Sequence, residues 1–110
     1  MKIIVLKFGG TSVGSIQRIK EVAKIIKSYS NKYKIIVLSS AMSGTTNKLI
    51  KMSQKISNNF SNQEYDTLVS AGEQISCSLL AGQLIANGLN SRSWMAWQIP
   101  ILTEGKHKYS

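Results

Sequence analysis

The chain has 110 residues with 43% hydrophobic content, which allows one modest domain with a small core and excludes wholesale disorder. No apolar run approaches the roughly 20 residues that cross a bilayer, and residues 1 to 6 lack the h-region and cleavage site of a secretory signal. A cytoplasmic protein without a membrane partner is therefore expected.

The net charge of +9 raises the question of nucleic acid. The lysines are spread along the chain, however, with no arginine cluster and no interleaved aromatics. Lys20, Lys24 and Lys27 fall at helical spacing and read as a solvated face, so nucleic acid is not the favoured partner. The single cysteine, Cys77, excludes an internal disulfide and reads as a small buried residue. With the single histidine, His107, it makes no recognisable metal cluster.

In chain order, Ile3 to Leu6 is an apolar, partly β-branched run, too short for a helix, and reads as a buried parallel strand. It delivers Lys7 into the Gly9-Gly10 turn, with Thr11 and Ser12 directly behind. A double glycine there lets main-chain N–H groups approach an anion, and the lysine adds a mobile positive charge. This is not a P-loop, because the lysine precedes the glycines and the Walker spacing is missing. From Ser15 the period changes: Ile16, Ile19, Val22, Ala23, Ile26 and Tyr29 mark one face of an amphipathic helix, capped by Ser12 or Ser15 and ending at Ser30-Asn31.

Lys34 to Ser39 reads as a second buried strand, parallel to the first through a right-handed crossover. Its exit, Ser39 to Asn47, is dense in small hydroxyl residues and opens a helix that ends near Ser57. Helix capping accounts for one or two such residues but not for so many at the ligand-binding edge of a parallel sheet. After the polar connector Asn58 to Asn62, a long helical segment runs from about Gln63 to Asn87, closed by Gly88. Gly72-Glu73 predicts a kink or a fresh helix start near Ser70, since glycine inside a helix costs about 1 kcal/mol. Glu73, set among small residues in so basic a chain, is a candidate to hold an ammonium group. Ser91 to Trp97 reads as a third strand, and Pro100 argues against a central strand beyond it.

Four blocks together closely resemble the amino-terminal part of the aspartate kinases, members of the amino acid kinase family. They are Lys7-Phe8-Gly9-Gly10-Thr11-Ser12-Val13, Ser40-Ala41-Met42-Ser43-Gly44-Thr45-Thr46-Asn47, Val69-Ser70-Ala71-Gly72-Glu73-Gln74, and Ser93-Trp94 followed by Trp97-Gln98-Ile99-Pro100-Ile101. The resemblance implies an α/β fold, a mostly parallel sheet flanked by helices in three αβα layers. It implies phosphoryl transfer from MgATP to the β-carboxylate of L-aspartate, giving 4-phospho-L-aspartate, at the start of the route to lysine (through diaminopimelate), threonine and methionine. Carried over by position, Lys7 would contact the ATP phosphates and stabilise the transferred group. Gly9, Gly10, Thr11 and Ser12 would surround the phosphates, Ser40 and Thr46 would bind aspartate, and Glu73 would pair with its ammonium group. Mg2+ would arrive with the nucleotide rather than occupy a protein metal site.

The resemblance covers residues 1–110 as one partial domain, the aspartate-binding part. The nucleotide-binding half and the regulatory ACT domains of the family have no counterpart in this sequence. A remaining part or a second chain is therefore an expected partner, and some sheet and helix surface is expected to be left uncovered. Two alternatives stand beside this reading: a non-catalytic remnant or subunit, and a basic polyanion-binding module, which would show a steep loss of affinity with salt.

Overall fold

The computed structural model describes residues 1–95 and Gln98. Strand β1 (Lys2–Phe8), helix α1 (Ile16–Tyr29), strand β2 (Tyr33–Ser39), helix α2 (Thr45–Ile56) and helix α3 (Asn62–Ala86) follow in order. The two strands pair in parallel, with Lys2 opposite Tyr33 and Phe8 opposite Ser39. This is the α/β arrangement read from the sequence, and of the three expected layers the described residues form two, a sheet and helices on one face of it.

The alternation along the strands decides which side chains meet the helices. Leu6, Phe8, Ile35 and Val37 pack against the core, whereas Ile3, Val5, Ile36 and Leu38 are half or more exposed on the other face. The strands read as buried on both sides because both faces are apolar. One face is covered and the other is open.

Helix α1 forms where expected, and of the two candidate caps Ser15 is used: its hydroxyl accepts from the Arg18 N–H at 3.2 Å. Ile19, Val22, Ala23 and Ile26 are buried on its inner face, and burying each of the larger side chains contributes about 1.5–3 kcal/mol. Ile16 and Tyr29, at the two ends of the predicted face, stay largely exposed. The core is completed by Val13 from the β1–α1 turn and by Leu80 and Leu84 of α3.

Helix α3 runs without a break through Gly72, so no fresh helix starts near Ser70. A Cβ at Gly72 would stand 3.2 Å from both the Ala41 Cβ and the Thr45 Cγ2. The glycine lets the helix approach the loop after β2 closely, and that packing offsets its poor helix propensity. The buried residues of α3, Gly72, Ser76, Leu80 and Leu84, lie four apart along one face. Ile75, Leu79 and Ile85, although apolar, are exposed, and Cys77 is half-buried rather than buried. The helix ends in a Schellman motif: the Leu89 N–H donates to the Leu84 carbonyl, the Gly88 N–H donates to the Ile85 carbonyl, and Gly88 has φ +91°. Lys27 of α1 secures the same end by donating to the Asn87 carbonyl at 2.6 Å.

Residues 91 to 95 carry no regular structure, so this part of the expected third strand is absent. The rest of that stretch, Ala96 and Trp97, lies outside the described residues, as do Pro100 and the polar tail. No helix among the described residues is long and apolar enough to cross a membrane.

Candidate functional site

Both strands end at the same sheet edge, and the loops that leave them are bound to one another. The Ser40 N–H donates to the Phe8 carbonyl at 3.2 Å, and the Ser43 N–H donates to the Gly10 carbonyl at 3.1 Å. The approach is close enough that a Cβ on Gly10 would stand 2.7 Å from the Ala41 carbonyl oxygen. At Gly10, then, the absence of a side chain serves loop-to-loop packing. Gly9 is exposed, and a Cβ there would meet nothing within 4 Å. Val13, fully buried, anchors the first loop and donates its N–H to the Gly9 carbonyl at 3.3 Å.

This folding leaves a row of main-chain donors at the edge. Among the described residues, the N–H groups of Gly10, Thr11 and Ser12 have no backbone acceptor. Helix α2 adds two more. Its cap is Gly44, which offers no side-chain hydrogen bond, and the Thr45 N–H turns back to the Met42 carbonyl at 3.0 Å. The N–H groups of Thr46 and Asn47 likewise have no backbone acceptor among the described residues. Capping therefore does not explain the hydroxyl-rich sequence before this helix. A helix start without acidic residues in its first turn presents a partial positive charge that suits a carboxylate or phosphate.

The predicted side chains fall around this edge as follows. Lys7 is exposed at the carboxyl end of β1 and, by strand alternation, stands on the open sheet face. Thr11 is exposed, while Ser12, Ser40 and Thr46 are half-buried. Glu73 is exposed on α3, one residue beyond the Gly72 that packs on the Ala41–Thr45 loop. Main-chain hydrogen bonds join the turn after β1 to the loop after β2, and the packing of Gly72 on Ala41 and Thr45 brings the Glu73 turn of α3 to the same corner. Among the described residues, the side chains of Lys7, Ser40, Thr46 and Glu73 make no hydrogen bond within the protein. The same residues contain no cluster of three His, Cys, Asp or Glu able to hold a metal.

One participant is missing from the sequence-derived set. Ser76 of α3 is fully buried, and its hydroxyl donates to the Ser40 carbonyl at 2.5 Å. Its spacing of four from Gly72 was the available signal, two small residues on one face of a helix otherwise rich in leucine and isoleucine. A cavity of about 540 Å3 lies elsewhere, along the free edge of β2 between Tyr33, Leu80, Leu84 and Trp94, and none of the candidate residues lines it.

The family model described as "Amino acid kinase family" matches residues 2–108. The chain belongs to the amino acid kinase family. Within that family it is similar to aspartokinases. It is 45% identical to the aspartokinase of Rickettsia bellii and 46% identical to that of Geobacillus stearothermophilus, in each case over 97% of this chain. It spans 27% and 26% of the lengths of those two relatives, about a quarter. The solved aspartate kinase from Synechocystis superposes with a TM-score of 0.74 at 43% identity, covering 77% of this chain and 15% of that one. The similarity to aspartokinases and the α/β fold expected from the four sequence blocks are thus both found.

Proposed function

We propose that residues 1–110 are the amino-terminal, aspartate-binding part of an aspartate kinase domain. The nucleotide-binding part, and any ACT domains, would come from further chain or from a second subunit. The reaction is transfer of the γ-phosphoryl group of MgATP to the β-carboxylate of L-aspartate. A carboxylate oxygen bonds to phosphorus as the bond to ADP breaks, giving 4-phospho-L-aspartate for lysine, threonine and methionine synthesis. MgATP supplies the phosphoryl group and carries its own metal ion.

The observation that carries this reading is the corner itself, where N–H groups of Gly10, Thr11 and Ser12, without a backbone acceptor among the described residues, lie at the same edge as the start of α2, which has no side-chain cap. The similarity to aspartokinases over nearly the whole chain supports aspartate as the substrate. In the proposed mechanism Lys7 offsets negative charge on the transferred group. The backbone around Gly9 and Gly10, with Thr11 and Ser12, holds phosphate oxygens. Ser40 and Thr46 orient aspartate through their hydroxyls, and Glu73 accepts from its ammonium group. Phosphoryl transfer asks a protein mainly for positioning and for fixed dipoles aimed at the developing charge.

The test is a chimera in which this chain replaces the matching segment of the Geobacillus stearothermophilus aspartokinase. Production of aspartyl phosphate from MgATP and aspartate, trapped as the hydroxamate, is the expected result. A chimera that folds and binds ATP but makes no product with aspartate would overturn the proposal.

A further inference from the structure

Resting on the aspartate reading of this corner, we infer that Ser76 is a positioning residue that holds the Ser40–Thr46 loop in register with Glu73. Ser76 and Glu73 sit three residues apart on α3, with Ser76 facing inward and Glu73 outward. The Ser76 hydroxyl has one proton and two acceptors in reach, the Ser40 carbonyl at 2.5 Å and the Glu73 carbonyl at 3.2 Å. The shorter contact takes the proton, so the bond crosses from α3 to the loop. Ser39 completes the cluster: its hydroxyl reaches the Ser76 oxygen at 3.5 Å and the Ser40 carbonyl at 3.3 Å.

A serine inside a helix commonly satisfies itself on the carbonyl one turn back. Ser53, Ser70 and Ser78 do this with Ile50, Thr67 and Gln74. Ser76 instead spends its proton on a carbonyl 36 residues away in sequence. One turn earlier on the same face, Gly72 brings the helix against Ala41 and Thr45. The hydroxyl and the missing Cβ together clamp both ends of the loop to the helix that carries Glu73. The distance between the group proposed to hold the ammonium of aspartate and the hydroxyls proposed to hold the rest of it is thereby fixed before any ligand arrives.

The experiment follows amide hydrogen exchange by NMR in the unmodified chain, in Ser76→Ala and in Ser78→Ala, together with L-aspartate titrations. Ser78 is exposed and bonds only within its own helix, so its removal is the control. In Ser76→Ala the Ser40 and Ser43 amides are expected to exchange about tenfold faster, with the α1 amides unchanged. Aspartate affinity is expected to fall about tenfold as well. Ser78→Ala should alter neither. Unchanged exchange at Ser40 and Ser43 in Ser76→Ala overturns the inference, whatever aspartate does. A loosened loop in a protein whose unmodified form does not bind aspartate sustains the clamp and overturns the substrate reading instead. If Ser76→Ala does not fold, Ser76→Cys fills nearly the same space with a weaker donor. The same loosening is then expected, and full protection would refute the clamp.

Discussion

The two faces of the β1–β2 sheet are built from the same kinds of residue and end in different environments. On the covered face Leu6, Phe8, Ile35 and Val37 lie against α1 and α3. On the open face Val5 stands opposite Ile36, and their exposures are 57% and 50%. Apolar rows on both sides, partly β-branched, are the pattern of a parallel strand covered twice. Strand formation is thus written locally in each heptapeptide, but which face is buried is decided elsewhere, by the inward rows of α1 and α3. Lys7 ends the open row, so the proposed phosphate-facing charge emerges on the side that the helices leave free.

The sharpest way to break this comparison is to delete equal volume from the two environments. Ile19 is 2% exposed, and Ile19→Ala should cost about 2–5 kcal/mol through lost burial and the cavity left behind. Ile36→Ala removes the same atoms from the open face and should cost less than about 1 kcal/mol in the 110-residue chain. Urea denaturation measures both. Equal losses would mean that the open face is covered in solution.

Lys7→Ala sharpens the comparison through chemistry. Exposed Lys7 packs against nothing in the core, so denaturation midpoints should stay put. Turnover of the chimera should fall about 100-fold, as when one fixed charge-stabilising donor is lost. If turnover were unchanged, the phosphate role of the β1 turn would be wrong.

The contrast between faces also marks how far the sequence could be read. Period located β1, α1 and β2, and residue type located the Gly88 stop, because those signals lie within a few residues of sequence. The third helix shows the limit. Its apolar residues are spread almost all round, so Ile75, Leu79 and Ile85 were indistinguishable from Leu80 and Leu84 until α1 took up one side. Gly72 read as a break because its partner, the loop carrying Ala41 and Thr45, is some thirty residues away and invisible to local propensity. The site was legible as a set of residue types at one sheet edge. Its wiring was not, since the bonds from Ser43 to Gly10 and from Ser76 to Ser40 join segments distant in sequence.

Smaller effects are expected within the first loop, where adjacent glycines do different work. Gly10→Ala places a Cβ 2.7 Å from the Ala41 carbonyl oxygen, a backbone atom that cannot rotate away. The two loops must separate, at a cost of about 1–3 kcal/mol, readable as a lower urea midpoint.

Gly9→Ala should produce the smallest change in stability, within about 0.5 kcal/mol. Its Cβ would point into open space, and Gly9 is not among the glycines with positive φ. Neither sterics nor backbone strain therefore requires a glycine there. What remains is the proposed ligand: a Cβ at the edge would stand between phosphate oxygens and the N–H groups of Gly10 and Thr11. The expected result is a chimera of unaltered stability whose KM for ATP rises, while its KM for aspartate moves less. A variant with unaltered ATP kinetics would show that Gly9 has no part in phosphate binding, and the donors would then be confined to Gly10, Thr11 and Ser12.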